Sequence, residues 1–190
     1  MRNFMSYERR WLDEPHVGDH VGRAVWALGE ILSTAWVPAL VGPTQRLLDT
    51  VIGGLTGPTA LRTDAYVVLG LAKLDHDRLD GPARDLLERS LDRLINAFEA
   101  TASEGWLWFE HALAYDNARL PQALIVGGTA LGRPDDVATG LESLLWLGDE
   151  SGLGSGMLRL TGHLGRKRGT LSPTSGDEQP LEAEIGRAHV

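Results

Sequence analysis

Residues 82–100 read PARDLLERSLDRLINAFEA, and this stretch decides the fold class. Leu86, Leu87, Leu91, Leu94, Ile95 and Phe98 recur at the spacing that gathers side chains on one side of an α-helix. Arg84, Asp85, Glu88, Arg89, Asp92 and Arg93 fill the opposite side, which predicts a water-facing surface. Pro82 heads the run, where its missing N–H costs nothing. Pro43, Pro58, Pro121 and Pro134 also stand at the head of helix-like runs. TALRTDAYVVLGLAKL follows Pro58, with Leu61, Ala65, Val68, Leu69 and Ala72 at helical spacing, and GDHVGRAVWALGEILSTAW predicts a helix from Asp19 to Trp36. PTQRLLDTVIGGL, PQALIVGGTALG and PDDVATGLESLLWLGDES supply more, and with one further helix in the unassigned stretches the chain reads as all-α, with about seven helices. The Trp106–Leu107–Trp108 alternation in GWLWFE is the one place a strand fits.

Glycines echo through these runs. Gly29, Gly70, Gly127 and Gly148 lie in VWALGE, VVLGLA, LIVGGTALG and LLWLGDE. Small residues let helix backbones approach, so the echo suits helix pairs set around a ring or stacked in a solenoid; a plain bundle carries such glycines too. From Gly148 the chain turns rich in Gly, Ser and Thr, in a stretch longer than an ordinary connection. It reads as a long loop of an unfinished domain, with partners in the part that is missing. LEAEIGRAHV begins like a helix and stops, and residues 184–190, EIGRAHV, match the in-frame translation of a common sequencing adapter. The expected organisation is an incomplete domain over 1–183 and an adapter-derived tail over 184–190; the alternative is a natural frayed C-terminus. No function is built on Arg187 or His189.

Composition narrows the function classes. The net charge of -8 disfavours nonspecific binding to nucleic acid or anionic membranes, which need a basic footprint. The absence of Cys removes disulfides, thiolate nucleophiles and thiolate metal ligands. MRNFMSYERRWLDEPH has no apolar signal-peptide core, and no apolar run approaches the ~20 residues of a membrane span. A soluble cytoplasmic protein is the default expectation.

Chemistry concentrates in EGWLWFEHALAYDNARLPQA, residues 104–123. Leu120 precedes Pro121 and is biased toward extended backbone, which predicts a helix beginning at Pro121 with a polar loop ahead of it. Glu110 and Asp116 are positioned to flank a ligand there. Trp106, Trp108 and Tyr115 offer flat faces for sugar rings, and Asn117 and Arg119 offer donors to hydroxyls or a carboxylate. That set suits a carbohydrate site; the alternative is aromatic core, an Arg119 ion pair with Asp116 or Glu110, and an Asn117 turn. A second group lies in RNFMSYERRWLDEPHVGDHVGR, where Asp19 is a candidate helix cap and His20 and Arg23 candidate ligand donors. His16 and His20 match no zinc spacing, so no metal is expected, and no cofactor. SGLGSG lacks the context of a dinucleotide or phosphate loop, no Gly-x-Ser-x-Gly occurs, and GRKRG at 165–169 reads as a solvated basic loop.

RNFMSYERRWLDEPHVGDHVGRAVWALG and WLWFEHALAYDNARLPQALIVGG together resemble a bacterial family of all-helical, six-hairpin glycosidase-like proteins, found near sugar glycosyltransferases and glycoside phosphorylases. YDNARLPQAL is its most specific run, the likeness extends loosely over 2–163, and DEQPLEA at 177–183 resembles a further segment. The resemblance implies an (α/α)6 toroid, of which the helix count gives about half, with the site at the ring centre. By position it brings Arg10, Trp11, Asp13, Asp19, His20 and Arg23 into one segment. Trp106, Trp108, Glu110, Tyr115, Asp116, Asn117 and Arg119 fall in a second, and Glu178, Gln179 and Glu182 in a third. LGRKRGTLSPTSG departs from the family's loop at one wall of that site. The expected function is a glycoside hydrolase-like protein of carbohydrate metabolism, with Glu110 or Asp116 as one carboxylate and Glu182, Asp19 or a residue outside the chain as the other. A noncatalytic sugar-binding or scaffold protein of a glycosyltransferase system is the alternative. An epimerase of the same shape would want paired histidines, hinted at only by His20 and His111. The expected partners are a carbohydrate and, through an uncovered apolar flank, further copies of the chain.

Overall fold

The computed structural model describes residues 1–34, 36–170, 176–178, 180 and 182. Among them are six α-helices and one two-stranded ladder, so the fold is all-α: α1 (Asp19–Thr34), α2 (Pro38–Gly53), α3 (Leu61–Leu71), α4 (Gly81–Thr101), α5 (Arg119–Leu131) and α6 (Pro134–Glu150), with β1 (Ala112–Leu113) and β2 (Arg166–Lys167). The count is one helix below the sequence expectation. The chain divides into two compact units, Met1–Ser90 and Leu91–Val190.

In Met1–Ser90, α1 packs on both α2 and α3. The α1–α3 contact is backbone against backbone. A Cβ on Gly29 would lie 2.1 Å from the Gly70 carbonyl oxygen, one on Gly70 would lie 2.6 Å from that of Val25, and one on Gly22 would lie 2.7 Å from that of Thr63. Gly29 and Gly70, two of the four echoing glycines, therefore face each other. Val25 and Leu32 of α1 and Leu48 of α2 are fully enclosed, and Val68 and Leu71 are enclosed on α3. Pro38, not Pro43, occupies the first turn of α2; Pro43 lies inside the helix, where its missing N–H removes one hydrogen bond. The N-terminal segment folds back on itself. The Asp13 carboxylate accepts the Asn3 and Phe4 amides at 2.7 and 3.0 Å, and Met1 and His16 exchange backbone hydrogen bonds.

In Leu91–Val190, α5 and α6 form a helical hairpin closed by Gly132, whose left-handed φ of 66° ends α5. A Cβ on Gly140 would lie 2.9 Å from the Pro121 carbonyl oxygen and from Leu124, and one on Gly128 would lie 3.0 Å from Val137, so both glycines let the helices approach. Gly148 makes no such approach, its nearest neighbour being Leu153 at 3.6 Å. The strand expected at GWLWFE is displaced to Ala112–Leu113, which pairs antiparallel with Arg166–Lys167. The GRKRG run is thus not a free solvated loop. Arg168 donates its amide to the His111 carbonyl at 2.9 Å and its guanidinium to Ser103, while Arg166 pairs with Glu150 at 2.5 Å. Described residues of the glycine-rich stretch pair with one another. His163 and Asp177 hydrogen-bond, and Gly162 bridges Glu178.

Candidate functional site

The segment between α4 and α5 begins with a tight turn. Ser103 and Trp106 exchange backbone hydrogen bonds across Gly105, whose φ is 75°. The Trp106 indole N–H then donates to the Glu110 carbonyl at 2.8 Å, and Ser143 donates to the Leu107 carbonyl at 3.0 Å. These bonds press the aromatic run into the unit. Trp106 and Trp108 meet Trp146 at ring distances of 5.1 and 5.8 Å, and Phe109 meets both Trp108 and Phe98 at 5.3 Å. Trp108 is wholly enclosed, and its indole N–H has no hydrogen-bond partner among the described residues. Trp106 and Trp108, read as sugar-stacking candidates, lie in an aromatic core. Tyr115 is 39% exposed. Glu110 is half-buried.

The next residues form a buried polar knot. Asp116, Asn117, Arg119 and Gln122 are all at or below 9% exposure. Asp116 adopts the left-handed φ of 47°, one of the few non-glycine residues that tolerate it. The turn supplies acceptors for the first amides of α5: Arg119 N–H donates to the Asp116 carbonyl and Leu120 N–H to the Asn117 carbonyl, both at 3.2 Å. The helix therefore starts at Arg119, two residues before the expected Pro121, and the pre-proline bias of Leu120 is overridden. Arg119 Nε lies 3.3 Å from Asp116 Oδ1, and its Nη1 donates to Gln122 Oε1 at 2.8 Å. Asn117 Oδ1 accepts the Ala114 amide at 3.0 Å.

Glu182 enters this knot from far along the chain. Its carboxylate accepts the Asp116 amide, the Asn117 amide at 3.4 Å and Asn117 Nδ2 at 2.8 Å. Burial pushes the Glu182 carboxyl above its ordinary value, and the charge of Asp116 adds to that, against the opposing pull of the Asn117 and Asp116 donors. Of the third segment, Glu178 is exposed and Gln179 lies outside the described residues.

The N-terminal candidates belong to Met1–Ser90. His20 is half-buried, 4.5 Å from the His16 ring, and its Nε2 has no hydrogen-bond partner among the described residues. Arg23 lies over the Tyr66 ring at 5.1 Å and donates to its hydroxyl at 3.2 Å, while Asp19 accepts from Thr63 at 3.1 Å. No group of three or more His, Asp or Glu among the described residues is placed to hold a metal ion, and no helix among them is long and apolar enough to cross a membrane.

Sequence reasoning missed Gln122, Trp146, Arg166 and Arg168. Gln122 had a signal, since it sits three residues from Arg119 on one helix face. Compared with known proteins, the chain matches no family model, no curated protein and no solved structure.

Proposed function

We propose that this chain is part of a carbohydrate-active protein of glycoside hydrolase type, built on an (α/α)6 toroid of the six-hairpin glycosidase-like group. The observation that carries the reading is the buried knot at the head of α5. Asp116, Asn117 and Arg119, picked out by residue chemistry, meet there with Glu182, one of the residues considered for a second carboxylate. Burying ionisable groups is costly, and clusters of them with perturbed protonation mark functional sites. One member is held in ion-pair range of Arg119 while the other is pushed toward its protonated form. Half-buried Glu110 and partly exposed Tyr115 flank the same segment and supply a second carboxylate and a stacking ring.

On this reading the ring is completed by further helices, from additional sequence or from copies of the chain that cover apolar side chains such as Trp36 and Leu145. The protein works on soluble saccharides in the cytoplasm.

A noncatalytic sugar-binding or scaffold role is favoured by one observation. Both Glu182 oxygens and Asp116 Oδ1 already have partners within the chain. A hydrolysis screen on aryl glycosides and natural oligosaccharides, run with a glycan array on the full-length protein, separates the two. For the enzyme, Glu110→Gln or Asp116→Asn lowers turnover by about a hundredfold or more at unchanged glycan binding. Glycan binding with no turnover on any substrate supports the scaffold role.

A further inference from the structure

Both oxygens of Glu182 are engaged by donors of one turn: the Asp116 amide on Oε1, and the Asn117 amide and side-chain Nδ2 on Oε2. A proton donor to substrate needs an oxygen turned toward that substrate, and here both are turned toward the turn. The turn needs such an anchor. Asp116 sits at φ 47°, a conformation that persists only where the surroundings over-determine it. Asn117 is gripped at both ends of its amide, by Ala114 N–H and by Glu182, so its orientation is fixed by the same carboxylate. The consequence is directional: with the turn so held, the Asp116 side chain lies 3.3 Å from Arg119 Nε.

We infer that Glu182 is a positioning residue, a carboxylate template that holds the 115–117 turn in its left-handed form and thereby sets Asp116 against Arg119. The inference deepens the proposed function and rests on it only in taking Asp116 as the working carboxylate. The second carboxylate of that reaction is then not Glu182, which leaves Glu110 as the candidate nearest in sequence.

The test uses a small carboxylate to replace the side chain. In Glu182→Ala, amide exchange over residues 112–120 accelerates by about tenfold or more relative to wild type. Sodium formate restores most of the protection, and sodium chloride at equal ionic strength does not. Adding Asn117→Ala abolishes the formate effect. Wild-type exchange in Glu182→Ala, or equal responses to formate and chloride, overturns the inference, because a side chain that only fills space is not replaced by an anion. Should Glu182→Ala fail to fold, Glu182→Gln keeps the volume and one acceptor. Intermediate exchange then supports the template and unchanged exchange overturns it. The hydrolysis screen of the wild type is independent of all these readouts. Formate rescue with no wild-type turnover on any saccharide removes the enzyme reading and leaves the template standing.

Discussion

The α1–α3 contact and the turn at the head of α5 are both held at close range, by opposite means. In the first, Gly22, Gly29 and Gly70 remove side chains so that backbones touch, and the energy comes from packing and burial. In the second, Asp116, Asn117, Arg119 and Glu182 put charged and polar side chains where water is excluded, and the geometry rests on an ion pair and on hydrogen bonds between them. A packed contact degrades gradually as atoms are added. A polar knot fails when one partner leaves, since the remaining charge stays buried.

The largest expected effect follows from that asymmetry. Arg119→Ala leaves the Asp116 carboxylate enclosed without its cation and should cost about 3–5 kcal/mol, read from the denaturation midpoint. A loss under about 1 kcal/mol would mean the knot is solvated and behaves like a surface pair. The double variant Arg119→Ala with Asp116→Asn sharpens the test. Removing both charges should recover part of the loss, whereas independent side chains would add their costs.

Next comes the packed contact. Gly29→Ala places a methyl 2.1 Å from the Gly70 oxygen, with backbone on the other side and no flexible side chain to yield. Forced overpacking costs about 1–3 kcal/mol, and this site belongs at the upper end. Gly53→Ala is the control. It stands at the end of α2 with nothing within 4 Å of the added carbon, so it should be neutral or stabilising by up to about 0.5–1 kcal/mol. Equal losses at both positions would show that helix propensity, not contact, sets the response.

How much of this was legible depends on range. The amphipathic run after Pro82 and the close approach of helices at small residues could be read because periodicity and glycine placement are properties of single helices, whereas the pairing of Gly29 with Gly70 came only from the structure. The early start of α5 could not be read, because it depends on the Asp116 and Asn117 carbonyls overriding the bias at Leu120. Neither could the covering of Trp106 and Trp108: the sequence shows the rings but not Trp146 arriving against them. The pairing of GRKRG with Ala112–Leu113 joins a polar run to a short one with no alternation to betray a strand. Residue chemistry picked out Asp116, Asn117 and Arg119, while the contact with Glu182 spans 66 positions, beyond any local pattern.

The two tryptophans give a smaller effect that probes the same contrast. Trp106→Phe removes the hydrogen bond to the Glu110 carbonyl, whereas Trp108→Phe removes an indole N–H without a partner among the described residues. Both substitutions shrink an indole to a phenyl ring against Trp146, so the hydrogen bond is the main difference between them. Trp106→Phe should therefore be the more costly by about 1 kcal/mol. Equal costs in thermal melts would show that ring volume alone decides.

The smallest effects are the pH responses, and their signs should differ between the two regions. Some loss of water works to raise the Asp13 carboxyl, but the Asn3 and Phe4 amides and the His16 charge outweigh it, so its value falls below the ordinary one. A carboxyl depressed on folding contributes stability above its unfolded value, about 3.9, and that contribution is lost as pH falls through the lower folded value. Glu182 is raised by burial, so the folded form holds its proton more tightly. Its contribution is fully present below the unfolded value, about 4.3, and is lost as pH rises through the folded value. Protection measured by hydrogen exchange should therefore rise with pH from below about 3.9 in the N-terminal segment and fall with pH above about 4.3 in residues 112–120. Asp13→Asn should flatten the first slope alone and Glu182→Gln the second alone. If Glu182→Gln leaves the second slope in place, Glu182 is not the group that sets it.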